Sequence, residues 1–139
     1  MSSVATAQWT GVLTLSPTTT GDLAYFQDVK EKLDHLAELG FNWDGEGGEP
    51  ISRRTLSIAG ELLLPLAKIQ PPVPRIAPVL GGGIQFEWEV AGRELEIEIL
   101  PDGSVEYLVA EGEATHEGEL TAWPTDEVRR LVYWLTGRR

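Results

Sequence analysis

The chain contains no cysteine, only two histidines and no apolar run approaching the roughly 20 residues that span a bilayer. The first absence excludes disulfides, thiol nucleophiles and cysteine-ligated zinc or iron–sulfur centres. His35 and His116 lack an HExxH or HxH partner, so a histidine metal site is not expected. His35 reads as a surface helix residue, and His116 has inward strand parity near a strand end. The N-terminal MSSVATAQWTGVLTLSP has neither a basic n-region nor a continuous apolar h-region, so it does not read as a secretory signal. A soluble cytoplasmic protein is the simplest expectation.

Positive charge is also scarce. With 11 basic and 22 acidic residues the formal net charge is −11, which argues against general binding to phosphate backbones. Most of the basic residues fall on expected helices: Lys30, Lys32, Arg53, Arg54, Lys68, Arg129, Arg130, Arg138 and Arg139. A polarised molecule follows, with no direct nucleic-acid partner and no membrane association.

What the chain does have is a run of strands. IQFEWEV (84–90) and RELEIEIL (93–100) alternate apolar and charged residues strictly, and SVEYLVA (104–110) and THEGEL (115–120) follow. Period-2 alternation is the mark of half-buried antiparallel strands. Parity sends Ile84, Phe86, Trp88, Leu95, Ile97, Ile99, Val105, Tyr107 and Val109 inward. Eight glutamates go outward: Glu87, Glu89, Glu94, Glu96, Glu98, Glu106, Glu117 and Glu119. No lysine or arginine shares their face. Pro101-Asp102-Gly103 suits a three-residue hairpin loop and Ala91-Gly92 a tight turn. These turns place Ile99 opposite Val105, Ile97 opposite Tyr107 and Leu95 opposite Val109. They also place Phe86 opposite Ile97 and Trp88 opposite Leu95. On the outer face Glu98 meets Glu106, Glu89 meets Glu94, and Glu87 meets Glu96. A slip by one residue would bury the carboxylates, so this register is strongly selected. Gly118 interrupts the last strand and predicts a bulge or a close approach there.

Like charges directly opposite each other cost about 0.2–1 kcal/mol per pair. Several such pairs together cost roughly 1–3 kcal/mol, against a typical domain stability of about 5–15 kcal/mol. One explanation is a solvated face that maintains solubility and discourages edge association. The other is a docking surface for a basic partner.

Helical signals flank this meander. Phe26, Val29, Leu33 and Leu36 form an apolar stripe over about Asp22 to Leu39, with Thr20 or Gly21 as cap and Gly40 at C′. Ser52 is the N-cap of a second helix that buries Leu56, Ala59, Leu62 and Leu63, and Pro65 should kink or end it. QPPVP (70–74) reads as an extended connector, and Arg75 to Leu80 as an edge strand tolerant of Pro78. Gly81-Gly82-Gly83 then turns the chain into the meander. Thr125 caps a last helix with Val128, Leu131, Val132 and Leu135 on one stripe, and Gly137 stops it. The expected fold is α+β: a single layer of antiparallel β-meander with four to five strands, and two N-terminal helices and one C-terminal helix packed on one face. Residues 1–20 form an N-terminal arm, and 21–139 a single domain.

The loop Phe41-Asn42-Trp43-Asp44-Gly45-Glu46-Gly47-Gly48-Glu49-Pro50 joins the first two helices. Trp43 would fill the space between them and Asp44 would make an Asx-type turn, with glycines supplying positive φ. Asn42, Asp44 and Glu46 are also spaced like alternating oxygen ligands for calcium or magnesium. An EF-hand, however, requires a bidentate glutamate where this chain has Arg53. Asp44, Glu46 and Glu49 therefore remain only weak metal or acid–base candidates, and no cofactor is expected.

Trp43-Asp44-Gly45, Pro50-Ile51-Ser52, Pro71-Pro72, Gly82-Gly83-Ile84-Gln85-Phe86-Glu87-Trp88 and Asp102-Gly103-Ser104 together resemble a family of small bacterial proteins. Its pattern is a W-D-G or W-D-S loop, Pro-Ile-Ser opening a helix, and a Gly-Gly strand ending in Glu-Trp. The resemblance covers roughly residues 36–110 and implies no established activity. The aromatic that often follows the second motif position in that family is replaced here by Glu46.

No G-x-S-x-G elbow, phosphate-cradling glycine loop or separated carboxylate pair marks an enzyme. Trp88, Phe86 and Tyr107 have core parity, which argues against a base-stacking platform. The favoured expectation is a small acidic cytoplasmic protein-binding module, of immunity or antitoxin type. It would engage a basic partner through Glu87, Glu89, Glu94, Glu96, Glu98 and Glu106, with Leu108 as an exposed apolar anchor. The alternatives are a metal-dependent or acid–base enzyme built on Asp44, Glu46 and Glu49, and a structural homodimer.

Overall fold

Two short turns set the frame of the sheet. Ala91 and Gly92 both take positive φ (51° and 86°), as a two-residue type I′ turn requires. At Pro101-Asp102-Gly103, Gly103 N–H donates to Leu100 O and Leu100 N–H to Ser104 O, each at 2.9 Å. Gly103 occupies the left-handed region at φ 91°. The Asp102 carboxylate accepts from the Ser104 hydroxyl (2.6 Å) and amide (2.9 Å), which hold its carboxyl below the ordinary aspartate range. The loop thus closes with the register that the flanking alternation demands.

The computed structural model of the chain describes residues 20–40, 45, 48–63, 66, 68–120 and 125–137. Residues 1–19 of the expected N-terminal arm, and Pro65, lie outside these residues. The described elements are α1 (Thr20–Ala37), α2 (Arg53–Leu63), β1 (Arg75–Val79), β2 (Gly83–Val90), β3 (Arg93–Ile99), β4 (Val105–Glu111), β5 (Ala114–Glu119) and α3 (Thr125–Thr136). The strands form one antiparallel sheet in the order β1-β2-β3-β4-β5, each paired with its neighbour in sequence. Every cross-strand pair expected for β2, β3 and β4 is present.

Ile84, Phe86 and Trp88 from β2, and Leu95, Ile97 and Ile99 from β3, are buried against the helices. Val29, Leu33 and Leu36 of α1, Leu56, Ala59, Leu62 and Leu63 of α2, and Val128, Val132 and Leu135 of α3 complete one continuous core. Completely burying a side chain of this size stabilises by about 1.5–3 kcal/mol, so the core dominates the folding energy.

Local details depart from the expected pattern in three places. Helix α1 already includes Thr20 and Gly21, and Tyr25 rather than Phe26 opens its buried stripe. Tyr25, not Phe26, falls in line with Val29, Leu33 and Leu36 on the side of the helix that is packed against the core. Helix α1 ends at Ala37 through short-range bonds, Glu38 N–H to His35 O and Leu39 N–H to Leu36 O. Gly40 is not in the left-handed region, so it is not the C′ residue expected. Gly118 makes no bulge and pairs in register with Tyr107, so of the two expectations there the close approach is the one found, the Tyr107 ring lying over it.

Two contacts fasten the sheet to distant chain. Trp88 Nε1 donates to Pro72 O at 2.7 Å, pinning the proline-rich connector. Arg93 donates to Trp134 O near the end of α3, places its guanidinium 5.2 Å from the Trp134 ring centroid, and pairs with Glu111 at 3.2 Å. Helix α2 begins with Ser52 Oγ accepting from Thr55 N–H at 3.1 Å, as its N-cap role requires. Among the described residues, no helix is long and apolar enough to cross a membrane.

Candidate functional site

Pleating carries the glutamates to the face opposite the helices, and the register lines them up across strands. One row runs Arg75, Glu87, Glu96, Leu108, Glu117 from β1 to β5. The next runs Gln85, Glu98, Glu106, Glu119 from β2 to β5. A third pairs Glu89 with Glu94 and continues through Ala110 to Thr115. All the glutamates proposed from the sequence therefore share one surface.

They are not equally exposed. Glu89, Glu94, Glu106, Glu117 and Glu119 are open to solvent, whereas Glu87, Glu96 and Glu98 are half-buried among their neighbours. Leu108, expected as an exposed anchor, is also half-buried, because Glu96 and Glu117 flank it across the strands. Burial, followed by the charges of Glu87, Glu94 and Glu98, pushes the Glu96 carboxyl above the ordinary glutamate value. Glu96 is the centre of negative charge on this face.

Two residues that sequence reasoning passed over relieve part of the repulsion. Gln85 Nε2 donates to Glu87 Oε2 at 2.7 Å and to Glu96 Oε1 at 3.1 Å, bridging the pair. Arg75 Nη1 reaches Glu87 Oε2 at 3.0 Å from the neighbouring edge strand. The parity of Gln85 with Glu87 was readable. The position of Arg75 depended on a β1 register that RIAPV does not encode by alternation.

The far side of β4 and β5 is differently furnished. The Tyr107 ring lies over Gly118 and 6.0 Å from the His116 ring. A recess of about 360 Å³ is bounded by Glu106, Glu117 and Glu119 of the acidic face together with Tyr107 and Gly118. A second, of about 230 Å³, is lined by Tyr107, Leu120, Glu127, Arg130 and Leu131 between the sheet and α3. Among the described residues, Glu127 Oε1 and the Tyr25 hydroxyl are buried without a hydrogen-bond partner. His116 has the expected helix-side parity but is exposed, and His35 lies on the surface of α1.

The inter-helix loop is described only in part. Trp43, Asp44 and Glu46 lie outside the described residues. Gly45 is exposed at φ 77°, and Glu49 is exposed just before Pro50. Among the described residues, no group of three or more acidic or histidine side chains is arranged to hold a metal ion. Trp88, the other structural residue of the motif, is a core residue with its indole N–H satisfied. Comparison of the chain with protein-family models, curated proteins and solved structures yielded no match.

Proposed function

We propose that this chain is a small cytoplasmic protein-binding module whose carboxylate face engages a basic surface on another protein. The observation that carries this reading is the alignment of Glu87 with Glu96, Glu98 with Glu106, and Glu106 with Glu119 on the face away from the helices. Opposed like charges are unfavourable in the free sheet. A partner presenting lysine or arginine removes that penalty on docking, and complementary charge accelerates encounter and sets specificity. The half-buried Leu108 supplies an apolar centre within an acidic rim. An immunity- or antitoxin-type inhibitor works by this chemistry when it covers the basic groove of an enzyme that acts on nucleic acid. The small size and net charge of −11 suit that role, as does the resemblance to small bacterial W-D-G proteins.

The test is the double substitution Glu96→Lys, Glu98→Lys. A partner captured on the wild-type chain is titrated against both proteins at several ionic strengths. The expected outcome is at least about tenfold weaker binding for the variant, with a flatter salt dependence and an unchanged cooperative melt. Equal affinity of the two proteins overturns the reading.

A further inference from the structure

We propose that the outer edge of β5, the last strand among the described residues, is a strand-acceptor site, which takes an extended basic segment of a partner protein as a sixth strand. This rests on the reading above that the partner is basic, and it names how that partner's backbone is held.

Hydrogen-bond phase identifies the available groups. Leu120 N–H donates to Val105 O at 2.9 Å, which fixes the phase of the β4–β5 ladder. Bonded and non-bonded pairs alternate in an antiparallel ladder. Ala114, His116, Gly118 and Leu120 therefore bond to β4. The N–H and C=O groups of Thr115, Glu117 and Glu119 point away from the sheet, and all three residues are exposed. A row of unmatched donors and acceptors is a template for another strand.

The opposite edge is closed to the same chemistry. The tight turn at Ala91-Gly92 makes Val90 and Arg93 a bonded pair, so Gln85 and Glu87 bond to β1 through Ala77 and Arg75. The outward-facing residues of β1 are then Ile76 and Pro78, and proline has no N–H to offer. Among the described residues, only β5 presents a continuous edge.

Charge selects the occupant. On an added strand, alternate side chains stand beside Glu117 and Glu119 at about 4.5–5.5 Å, where lysine or arginine gains and glutamate loses. A second copy of this chain, pairing β5 with β5, would set these glutamates against their own counterparts. Gly118, lying between them, has no side chain, and the Tyr107 ring lies over it, so the intervening partner residue meets that ring.

The experiment uses the full chain and a short peptide alternating threonine with lysine, with a threonine–glutamate peptide as control. Amide exchange is followed residue by residue, and affinity is measured by calorimetry. The lysine peptide is expected to bind and to slow exchange at Thr115, Glu117 and Glu119, while the glutamate peptide does neither. Glu117→Pro removes one outward N–H together with the carboxylate and leaves the β4–β5 pairing donors in place, so it should weaken binding roughly three- to tenfold further than Glu117→Thr, which removes the carboxylate alone. Glu117→Thr with Glu119→Thr keeps the backbone and should weaken binding while lowering its salt dependence. Failure of the lysine peptide to bind, binding without slower exchange at those amides, or equal affinity of Glu117→Pro and Glu117→Thr overturns the proposal. So does a dimer by light scattering that protects the same amides without peptide. Loss of binding to the captured partner in Glu96→Lys, Glu98→Lys, together with binding in Glu117→Pro no weaker than in Glu117→Thr, leaves the acidic-face reading standing and removes only the edge.

Discussion

The ring of Tyr107 occupies the space that any side chain at residue 118 would need: a Cβ built on Gly118 would lie 2.8 Å from the Tyr107 oxygen and 2.9 Å from a ring carbon. The two residues are direct cross-strand partners on β4 and β5. An aromatic ring laid over an edge glycine restores the packing that the missing side chain forfeits. Gly118 is therefore present for space, since its φ is one that other residues adopt.

Gly118→Ala is accordingly expected to lower stability by about 1–3 kcal/mol, because the displaced ring loses its seat. In a Tyr107→Leu background the same substitution should cost much less. Denaturant midpoints of the four proteins in this cycle measure the coupling, and a strictly additive result would deny the contact.

The pH dependence of stability should carry the signature of Glu96. Burial and the charges of Glu87, Glu94 and Glu98 disfavour its ionised form in the folded sheet, raising its pKa above 4.5. The folded chain then holds this proton to higher pH than the unfolded chain does. The contribution of Glu96 is thus most favourable below 4.5, and is lost as pH rises through the folded value. Glu96→Gln keeps an acceptor for Gln85 and removes the charge. Thermal melts from acid to neutral pH should show a higher Tm for the variant near neutrality and a smaller decline with rising pH.

Tyr25→Phe is expected to stabilise. The Tyr25 hydroxyl is buried and has no hydrogen-bond partner among the described residues, and burial also pushes its pKa up. Leaving such a group unsatisfied costs about 1–3 kcal/mol, and phenylalanine retains the ring that heads the α1 stripe. A denaturant midpoint below that of the wild type would show that the hydroxyl is satisfied in solution.

Ser52→Ala should destabilise by about 0.5–2 kcal/mol. Ser52 Oγ accepts from Thr55 N–H at 3.1 Å and donates to Thr55 Oγ1 at 2.9 Å, so alanine leaves two groups of a buried residue without a partner. Ser52→Asp keeps the amide bond and should recover most of the loss. Urea midpoints of the three proteins make the comparison.

The central sheet was legible because two independent signals agreed. Alternation in IQFEWEV and RELEIEIL assigned the faces, and Pro101-Asp102-Gly103 and Ala91-Gly92 assigned the register. The acidic face was legible for the same reason. The relief of its charge was not, since the contact of Arg75 with Glu87 depends on pairing across a strand that lacks periodicity. Tyr25 was missed because Phe26 also fits a helical stripe, and only the position of α1 against the sheet decides between them. The bond from Arg93 to Trp134, far apart in sequence, leaves no local trace in either segment. Nor does the exposure of Leu108 follow from parity, which assigns its face but not how closely Glu96 and Glu117 crowd it.

Pro78 has a consequence for assembly. Because the border it occupies cannot accept a neighbour, lateral growth of this sheet has a single direction, and the first visitor to attach becomes the new margin. The chain has no way to repeat the step on its other flank. Copies of the isolated protein should therefore not stack side by side into fibres, since repeated edge-to-edge stacking needs both borders of the sheet.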